Sequence, residues 1–162
     1  MILSISSTVL AIEECAIKLG FRPIIEITEP IQRGSLINRK VTAKTPEGEP
    51  LGKIEYRLEN DGQKLFITYV TRSDSARNVG LQKVMFQEIL NHNPNVQMVD
   101  ANLMQINALV IDKHYRQGMP LSQAVLKSPT GSMLFELGFK RILVLKDYSF
   151  HNEGAYHLLI SR

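Results

Sequence analysis

Alternating and helically spaced apolar positions divide the chain into short strands and amphipathic helices. The stretch KLFITYVT at 64–71 alternates apolar and polar residues, which is the pattern of a strand with one buried face. Helical spacing follows directly in the segment 80–91 and also occurs over 8–19. The other predicted strands are 22–28, 38–44, 51–58, 96–101, 140–147 and 155–161, and the other predicted helices are 103–116, 120–127 and 128–137. Proline, glycine and serine occur together in 31–36, which we predict to be a loop.

The same spacing predicts which side of each helix faces the core. In the segment 80–91, one apolar face is formed by Leu81, Val84, Met85, Phe86 and Ile89. The opposite side of that helix is suited to solvent and carries Lys83, Gln87 and Glu88. In the segment 103–116, the residues expected to point inward are Leu103, Ile106, Leu109 and Val110. Cys15 lies among apolar neighbours, so we expect a small core residue there rather than a reactive thiol.

The segment joining strand 64–71 to helix 80–91 has the residue types of an anion site. The first turn of a helix has backbone N–H groups without intrahelical partners and carries a partial positive charge, so it attracts phosphates. Gly80 lies at this start and has no Cβ, which lets a ligand approach the backbone closely. Arg72, Arg77 and Lys83 surround it in sequence. The alternative is a solvated loop followed by an ordinary helix start.

Two motifs carry a resemblance to a known family. The run Arg77-Asn78-Val79-Gly80 resembles the acyl-CoA binding turn of the GCN5-related N-acetyltransferases, although Gln82 occupies a position where that family usually has Gly or Ala. The run from Met133 to Lys140, MLFELGFK, is similar to the family's helix that ends in Leu-Gly-Phe. Leu134 stands there in place of the usual Tyr. The resemblance covers roughly residues 51–162.

The resemblance implies a fold and an activity. The fold is α/β (α+β), with a mixed, mainly antiparallel sheet flanked by helices and splayed between the family's fourth and fifth strands, here 64–71 and 96–101. We expect a single domain over residues 1–162. The implied activity is transfer of an acyl group, most often acetyl, from acetyl-CoA to a primary amine of a small molecule or protein. The alternative is a catalytically degenerate member that binds acyl-CoA or another protein.

The resemblance also assigns candidate ligand-binding residues. Arg72, Arg77 and Lys83 would face the phosphates of coenzyme A. Backbone N–H groups toward the pyrophosphate would come from Asn78, Val79, Gly80, Leu81 and Gln82. The thioester carbonyl would be hydrogen-bonded near the end of the strand, at Tyr69, Val70 and Thr71. A charge-assisted hydrogen bond contributes about 1.5–3 kcal/mol, so two or three would supply much of a micromolar affinity.

Proton transfer needs further groups, and the sequence offers several. The candidate bases are Glu55, Asp100, His151 and His157, while Tyr115 and Tyr156 could replace the general acid missing at Leu134. Each has a structural alternative, since strand carboxylates often face solvent and tyrosines often pack. No spacing connects any of them to the turn. General acid catalysis contributes typically ~10²–10⁴-fold, less than positioning of the reactants, so Leu134 does not exclude the reaction.

Composition limits the remaining classes of structure and function. The 162 residues are 44% hydrophobic and 22% charged, which suits one globular domain, and the formal net charge of +3 is compatible with an anionic ligand. No apolar run reaches the ~20 residues of a membrane helix, and the N-terminus does not have the pattern of a signal peptide, so we expect a cytoplasmic protein without a membrane partner. Scattered basic residues disfavour nucleic-acid binding. No zinc-ligand spacing occurs, and we expect no metal. The sequence leaves open whether the protein forms a homodimer.

Overall fold

The computed structural model of the protein describes residues 7–33, 36–147 and 155–162. In chain order these form α1 Ser7–Leu19, β1 Ile24–Ile27, β2 Ile31–Arg33, β3 Leu36–Lys44, β4 Pro50–Glu59, β5 Lys64–Arg72, α2 Leu81–His92, β6 Met98–Leu103, α3 Ile106–Arg116, α4 Leu121–Val125, α5 Pro129–Glu136, β7 Arg141–Asp147 and β8 Tyr156–Ser161. Within these ranges the strands make an eight-stranded sheet of order β1-β3-β4-β5-β6-β8-β7, with β2 paired to β3. The predicted mixed sheet flanked by helices is confirmed.

The chain divides into two compact units. The first runs through Leu58 and includes Ile67–Pro94, and the second combines Glu59–Phe66 with Asn95–Arg162. Strand β5 contributes to both, because its first three residues belong to the second unit and the rest to the first. A splay between β5 and β6 stays a prediction, and so does a single functional domain.

In the first unit, the buried core side chains lie on strands β3 and β4 and on helices α1 and α2. Strands β3 and β4 are antiparallel, and Val41 pairs with Ile54 on a face that is fully buried. Helix α2 contacts β1, β3 and α1. Cys15 is buried in α1 and burial raises the pKa of its thiol, so the prediction of a core cysteine is confirmed. The opposite face of the sheet carries Thr42 opposite Lys53 and Lys40 opposite Glu55, and these side chains are only half-buried.

In the second unit, β8 lies between β6 and β7 and is antiparallel to both. Alternate residues of β8 are buried, and Leu158 and Ile160 face the core with Val99 and Ala101 of β6. Helix α3 contacts α4 and α5. The Tyr156 hydroxyl donates a hydrogen bond to Asp112 of α3 and thereby joins helix and sheet. Burial, followed by this hydrogen bond, raises the pKa of Tyr156.

Several local predictions were wrong. The segment 31–36 contains strand β2, a three-residue pairing with β3 that is too short to leave a period in the sequence. Gln87 is buried within α2 rather than exposed. In α3, Ile106 and Leu109 are exposed, and the buried face is formed by Ala108 and Ile111 instead. Among the described residues, no helix is both long enough and apolar enough to cross a membrane.

Candidate functional site

The segment between β5 and α2 forms a tight turn. After Arg72 the chain makes a short 3-10 turn at Asp74–Ala76, in which Ala76 is buried. The Ser73 N–H donates to the carbonyl of Leu51 on β4 at 2.8 Å, which fixes the end of β5. Asn78 then adopts a positive φ of 58°, and Gly80 one of 80°. The sequence therefore folds here into the strand, turn and helix start that the residue types predicted.

Gly80 combines a left-handed backbone with open space. It occupies the N-cap position of α2, and no side chain caps the helix there. A Cβ built on Gly80 would lie more than 4 Å from every other heavy atom outside its immediate chain neighbours, among the described residues. Positive φ favours glycine because other residues pay a steric cost there. An anion can consequently approach the first turn of α2 from this side.

The basic residues around the turn differ in their surroundings. Arg72 and Arg77 are exposed, whereas Lys83 is half-buried in α2. The Arg77 guanidinium lies 3.0 Å from Asp74 Oδ1, with 64% of the arginine side chain and 90% of the aspartate side chain exposed. An ion pair this exposed contributes at most about 1 kcal/mol, so a phosphate could displace the carboxylate. Arg77 is therefore available to an anionic ligand.

The last residues of β5 are open to solvent. Tyr69 and Val70 are exposed, although both are large and apolar, and Thr71 is half-buried. Leu81 is buried, so only its backbone could serve a ligand, as the sequence implied. Asn78 is exposed, while Val79 and Gln82 are half-buried. The structure thus brings the predicted ligand-binding residues to one continuous strand and turn in the first unit.

Asp74 places a negative charge beside Arg77, one of the residues expected to face the phosphates of coenzyme A. We expect Asp74→Asn to tighten acetyl-CoA binding about two- to fivefold at low salt, because it releases Arg77 and removes a repulsive charge. Calorimetry in low and high salt measures this effect, which should shrink as salt is added. Asp61→Asn is the matched control, since Asp61 is also exposed but lies beyond the opposite end of β5. Weaker binding in Asp74→Asn would mean that Asp74 supports the turn.

Glu55 of β4 is connected to Tyr69 of β5 by contacts of one lysine, Lys53. The Lys53 ammonium on β4 lies 2.7 Å from Glu55 Oε1 and 5.2 Å from the centre of the Tyr69 ring. The hydrogen bond to Glu55 is the main cause that raises the pKa of Lys53. Sequence spacing did not connect Glu55 to the turn, whereas the structure links it to Tyr69 on β5 through Lys53. Lys53 was missed, although its i, i+2 relation to Glu55 on one strand was a usable signal.

Asp100 belongs to a separate cluster in the second unit. Its Oδ1 lies 2.7 Å from His157 Nε2, and its Oδ2 lies 3.7 Å from the Lys64 ammonium. Lys64 in turn pairs with Glu59 at 2.6 Å, which is the main cause that raises the pKa of Lys64. Asp100 and His157, two separate candidate bases in the sequence, are thus partners. Of the remaining candidates, His151 lies outside the described residues and Tyr115 is exposed on α3.

Leu134 is a core residue. It is fully buried in α5, so the position at which the family usually has Tyr does not face solvent in this chain. The neighbouring side chain that does point outward is Phe135, which carries the Lys140 ammonium 5.3 Å above its ring. A hydroxyl at position 134 would be enclosed by the core. The main effect of a tyrosine at this position should therefore be on stability rather than on the chemistry.

We expect Leu134→Tyr to lower the free energy of unfolding by about 1–3 kcal/mol, because the larger ring overpacks a filled site and buries a hydroxyl. Phe135→Tyr is the matched control and should change the free energy by less than about 0.5 kcal/mol. Urea unfolding followed by circular dichroism measures both. Turnover per folded molecule should change less than about tenfold. An unchanged unfolding free energy in Leu134→Tyr would show that α5 can turn this side chain outward.

Comparison with known proteins gives likenesses in structure alone. No protein-family model matches the chain, and no curated protein matches it in sequence. Nourseothricin acetyltransferase is similar at 12% identity and a TM-score of 0.49, over 86% of this chain and 84% of that chain. Mutant forms of the spermidine/spermine N-acetyltransferase SpeG from Vibrio cholerae are similar at 9% identity and a TM-score of 0.48, over 76% of this chain and 66% of that one.

The Vibrio cholerae spermidine N-acetyltransferase in complex with CoA and spermine is also similar, at 8% identity and a TM-score of 0.48, over 76% of this chain and 65% of that chain. The chain therefore spans just under two thirds of the length of these spermidine acetyltransferases. All three of these structures are acetyltransferases.

Proposed function

We propose that the protein is an acyl-CoA-dependent N-acyltransferase that transfers an acyl group, acetyl in the first instance, to a primary amine. The observation that carries the proposal is Gly80. This glycine has a left-handed backbone, stands at the start of α2 directly after β5 and leaves open space on its Cβ side. Such a turn offers backbone N–H groups and a helix dipole to a pyrophosphate.

In this proposal the turn holds the phosphates and β5 holds the acyl arm. Arg72 and Arg77 supply charge to the phosphates, and Lys83 follows one turn into α2. The arm then runs back along the exposed end of β5, where Tyr69 and Val70 present apolar surface to it. A backbone N–H near Thr71 would polarise the thioester carbonyl. Gln82 is half-buried and must leave the pyrophosphate side of the turn clear.

The acyl transfer depends mainly on holding the amine and the thioester in position. A neutral amine attacks the thioester carbonyl carbon, the C–S bond breaks, and the thiolate leaves without obligatory protonation because thiols have a pKa of roughly 8.5. Holding both reactants in place can supply effective molarities of ~10⁵–10⁸ M. The base we assign is Glu55, and what supports this choice is its ion pair with Lys53, whose ammonium also lies over the Tyr69 ring near the end of β5. It accepts the proton that the attacking amine loses.

The second candidate function is acyl-CoA binding without turnover. Two observations favour it, because Glu55 is engaged by Lys53 and the usual tyrosine position is a buried leucine. Calorimetry with acetyl-CoA, followed by turnover with a panel of primary amines, separates the two candidates. Binding with turnover supports the enzyme, and binding without turnover on any amine supports the binder. Absence of acetyl-CoA binding at millimolar concentration contradicts both.

The role of Glu55 has its own test. We expect Glu55→Gln to lower kcat by about 10²–10⁴-fold while the Kd of acetyl-CoA changes little, because a general base contributes on that order to the rate. Glu26→Gln is the matched control, since Glu26 pairs with Lys44 at 3.0 Å in the same sheet and should leave turnover unchanged. Steady-state kinetics with calorimetry provides both quantities. Equal kcat values in Glu55→Gln and wild type would mean that another group, or water, acts as the general base.

A further inference from the structure

Lys53 places a primary ammonium group where the proposed function needs one. Its Nζ lies between the Glu55 carboxylate, at 2.7 Å, and the face of the Tyr69 ring, at 5.2 Å. A carboxylate and an aromatic face are the two groups that bind an ammonium ion. The protein's own lysine thus occupies an ammonium site in the first unit, and 38% of the Lys53 side chain is exposed.

The backbone brings this lysine close to the end of β5. The residue before it, Gly52, approaches β5 so tightly that a Cβ there would lie 2.8 Å from the Thr71 carbonyl oxygen and 3.4 Å from the Arg72 Cα. Gly52 is therefore fixed against the residues that lead into the turn. Lys53 follows directly on the same strand, so its side chain starts beside the end of β5.

We infer that Lys53 is a self-acylation site, at which the protein transfers the acyl group from bound acyl-CoA to its own Lys53 Nζ. The inference rests on the proposed function, because it requires acyl-CoA bound along β5. Glu55 accepts a proton from the ammonium, the neutral Nζ attacks the thioester carbonyl carbon, and the C–S bond breaks. The products are an amide on Lys53 and coenzyme A as its thiol, because the departing sulfur takes up the second proton of the attacking nitrogen. The first proton reaches solvent from Glu55.

Without a bound donor, the surroundings of Lys53 would slow its acylation rather than favour it. The hydrogen bond to Glu55 raises the pKa of Lys53, so less of its amine is neutral and reactive at a given pH. Each pKa unit lowers the neutral fraction tenfold, whereas positioning can offer effective molarities of ~10⁵–10⁸ M. Faster acylation of Lys53 than of other lysines would consequently require a bound donor. The rate should also rise with pH, because the ammonium must lose its proton first.

The chain supplies a matched control in Lys44. Lys44 also lies on the sheet of the first unit, pairs with a glutamate at 3.0 Å, and is similarly exposed at 41% of its side chain. It is nine residues away from Lys53 in sequence and lies on β3 rather than β4. Lys44 therefore reports the background reaction of an exposed, ion-paired lysine with acetyl-CoA in solution.

The experiment incubates the full chain with acetyl-CoA and no added amine, and follows intact mass and tryptic peptides over time. We expect Lys53 to be acetylated at least tenfold faster than Lys44, at a rate per molecule that does not depend on protein concentration. Gly80→Val should reduce Lys53 acetylation to the rate of Lys44, because the donor is no longer held. Lys53→Arg should remove the modification and leave the Kd of acetyl-CoA unchanged, since arginine keeps the positive charge beside Glu55.

Other outcomes overturn the inference. Equal rates at Lys53 and Lys44, or undiminished Lys53 acetylation in Gly80→Val, would show simple chemical labelling. If wild-type protein binds acetyl-CoA and acetylates amines while Lys53 stays unmodified, the self-acylation is wrong and the proposed function stands. If acetyl-CoA does not bind at all by calorimetry, the proposed function fails and the self-acylation fails with it.

Discussion

Gly80→Val is expected to abolish detectable acetyl-CoA binding. The Cβ and methyl groups of valine would occupy the open space beside Gly80, where the proposed function puts the pyrophosphate. A β-branched residue also resists the positive φ of 80° found there, so the backbone that presents the N–H groups would shift. Losing two or three charge-assisted contacts of about 1.5–3 kcal/mol each removes most of a micromolar affinity. Calorimetry on wild type and variant measures the loss.

Backbone strain alone needs a separate control, because valine at positive φ destabilises any site by about 1–2 kcal/mol. Gly62 has a similar φ of 83°, and a Cβ there would also meet no heavy atom within 4 Å. It lies in the turn before β5, at the other end of that strand from Arg72. Gly62→Val should lower the melting temperature about as much as Gly80→Val and leave acetyl-CoA binding intact. Undiminished affinity in Gly80→Val would remove the basis for a coenzyme site at this turn.

The sequence predicted the geometry of the turn well because local residue types set that geometry. A strand, a glycine and a helix start follow one another within about fifteen residues, and each leaves its own signal in residue type or period. The strands and helices were found for the same reason, apart from the three-residue β2. Helix faces were predicted less well, as Gln87, Ile106 and Leu109 show. A helix of eleven or twelve residues has apolar side chains on more than one side, and only the neighbouring elements decide which side is buried.

Pairings between distant residues could not be predicted from spacing. His157 and Asp100 are 57 positions apart, and their contact follows from the register of β6 against β8. That register depends on the fit of the buried faces of both strands, which no local pattern reports. Leu134 shows a different limitation. The motif associates this position with a chemical role, whereas in the structure Leu134 packs in the core. The proximity of Lys53 to Glu55 could have been predicted from the sequence, since the two residues share a strand face.

Gly131→Ala is expected to destabilise the protein by about 3 kcal/mol, in contrast to the usual stabilisation when alanine replaces glycine inside a helix. A Cβ on Gly131 would lie 2.0 Å from the Val125 carbonyl oxygen and 2.9 Å from Ser128 Oγ. The first of these atoms is backbone and cannot rotate away. Ser128 Oγ also donates to that same carbonyl at 2.6 Å and accepts from the Gly131 N–H at 3.2 Å, so the start of α5 would have to move away from α4.

Urea unfolding gives the free energy change directly, and a loss of about 3 kcal/mol corresponds to roughly 6–12 °C in Tm for a chain of this size. Ser132→Ala is the matched control one residue further along α5, where Ser132 is half-buried and alanine should be neutral or slightly stabilising. A gain in stability for Gly131→Ala would mean that α4 and α5 are separated more widely than the contact at Val125 requires. A loss confined to Gly131→Ala would show that close approach of the two helices selects glycine at this position.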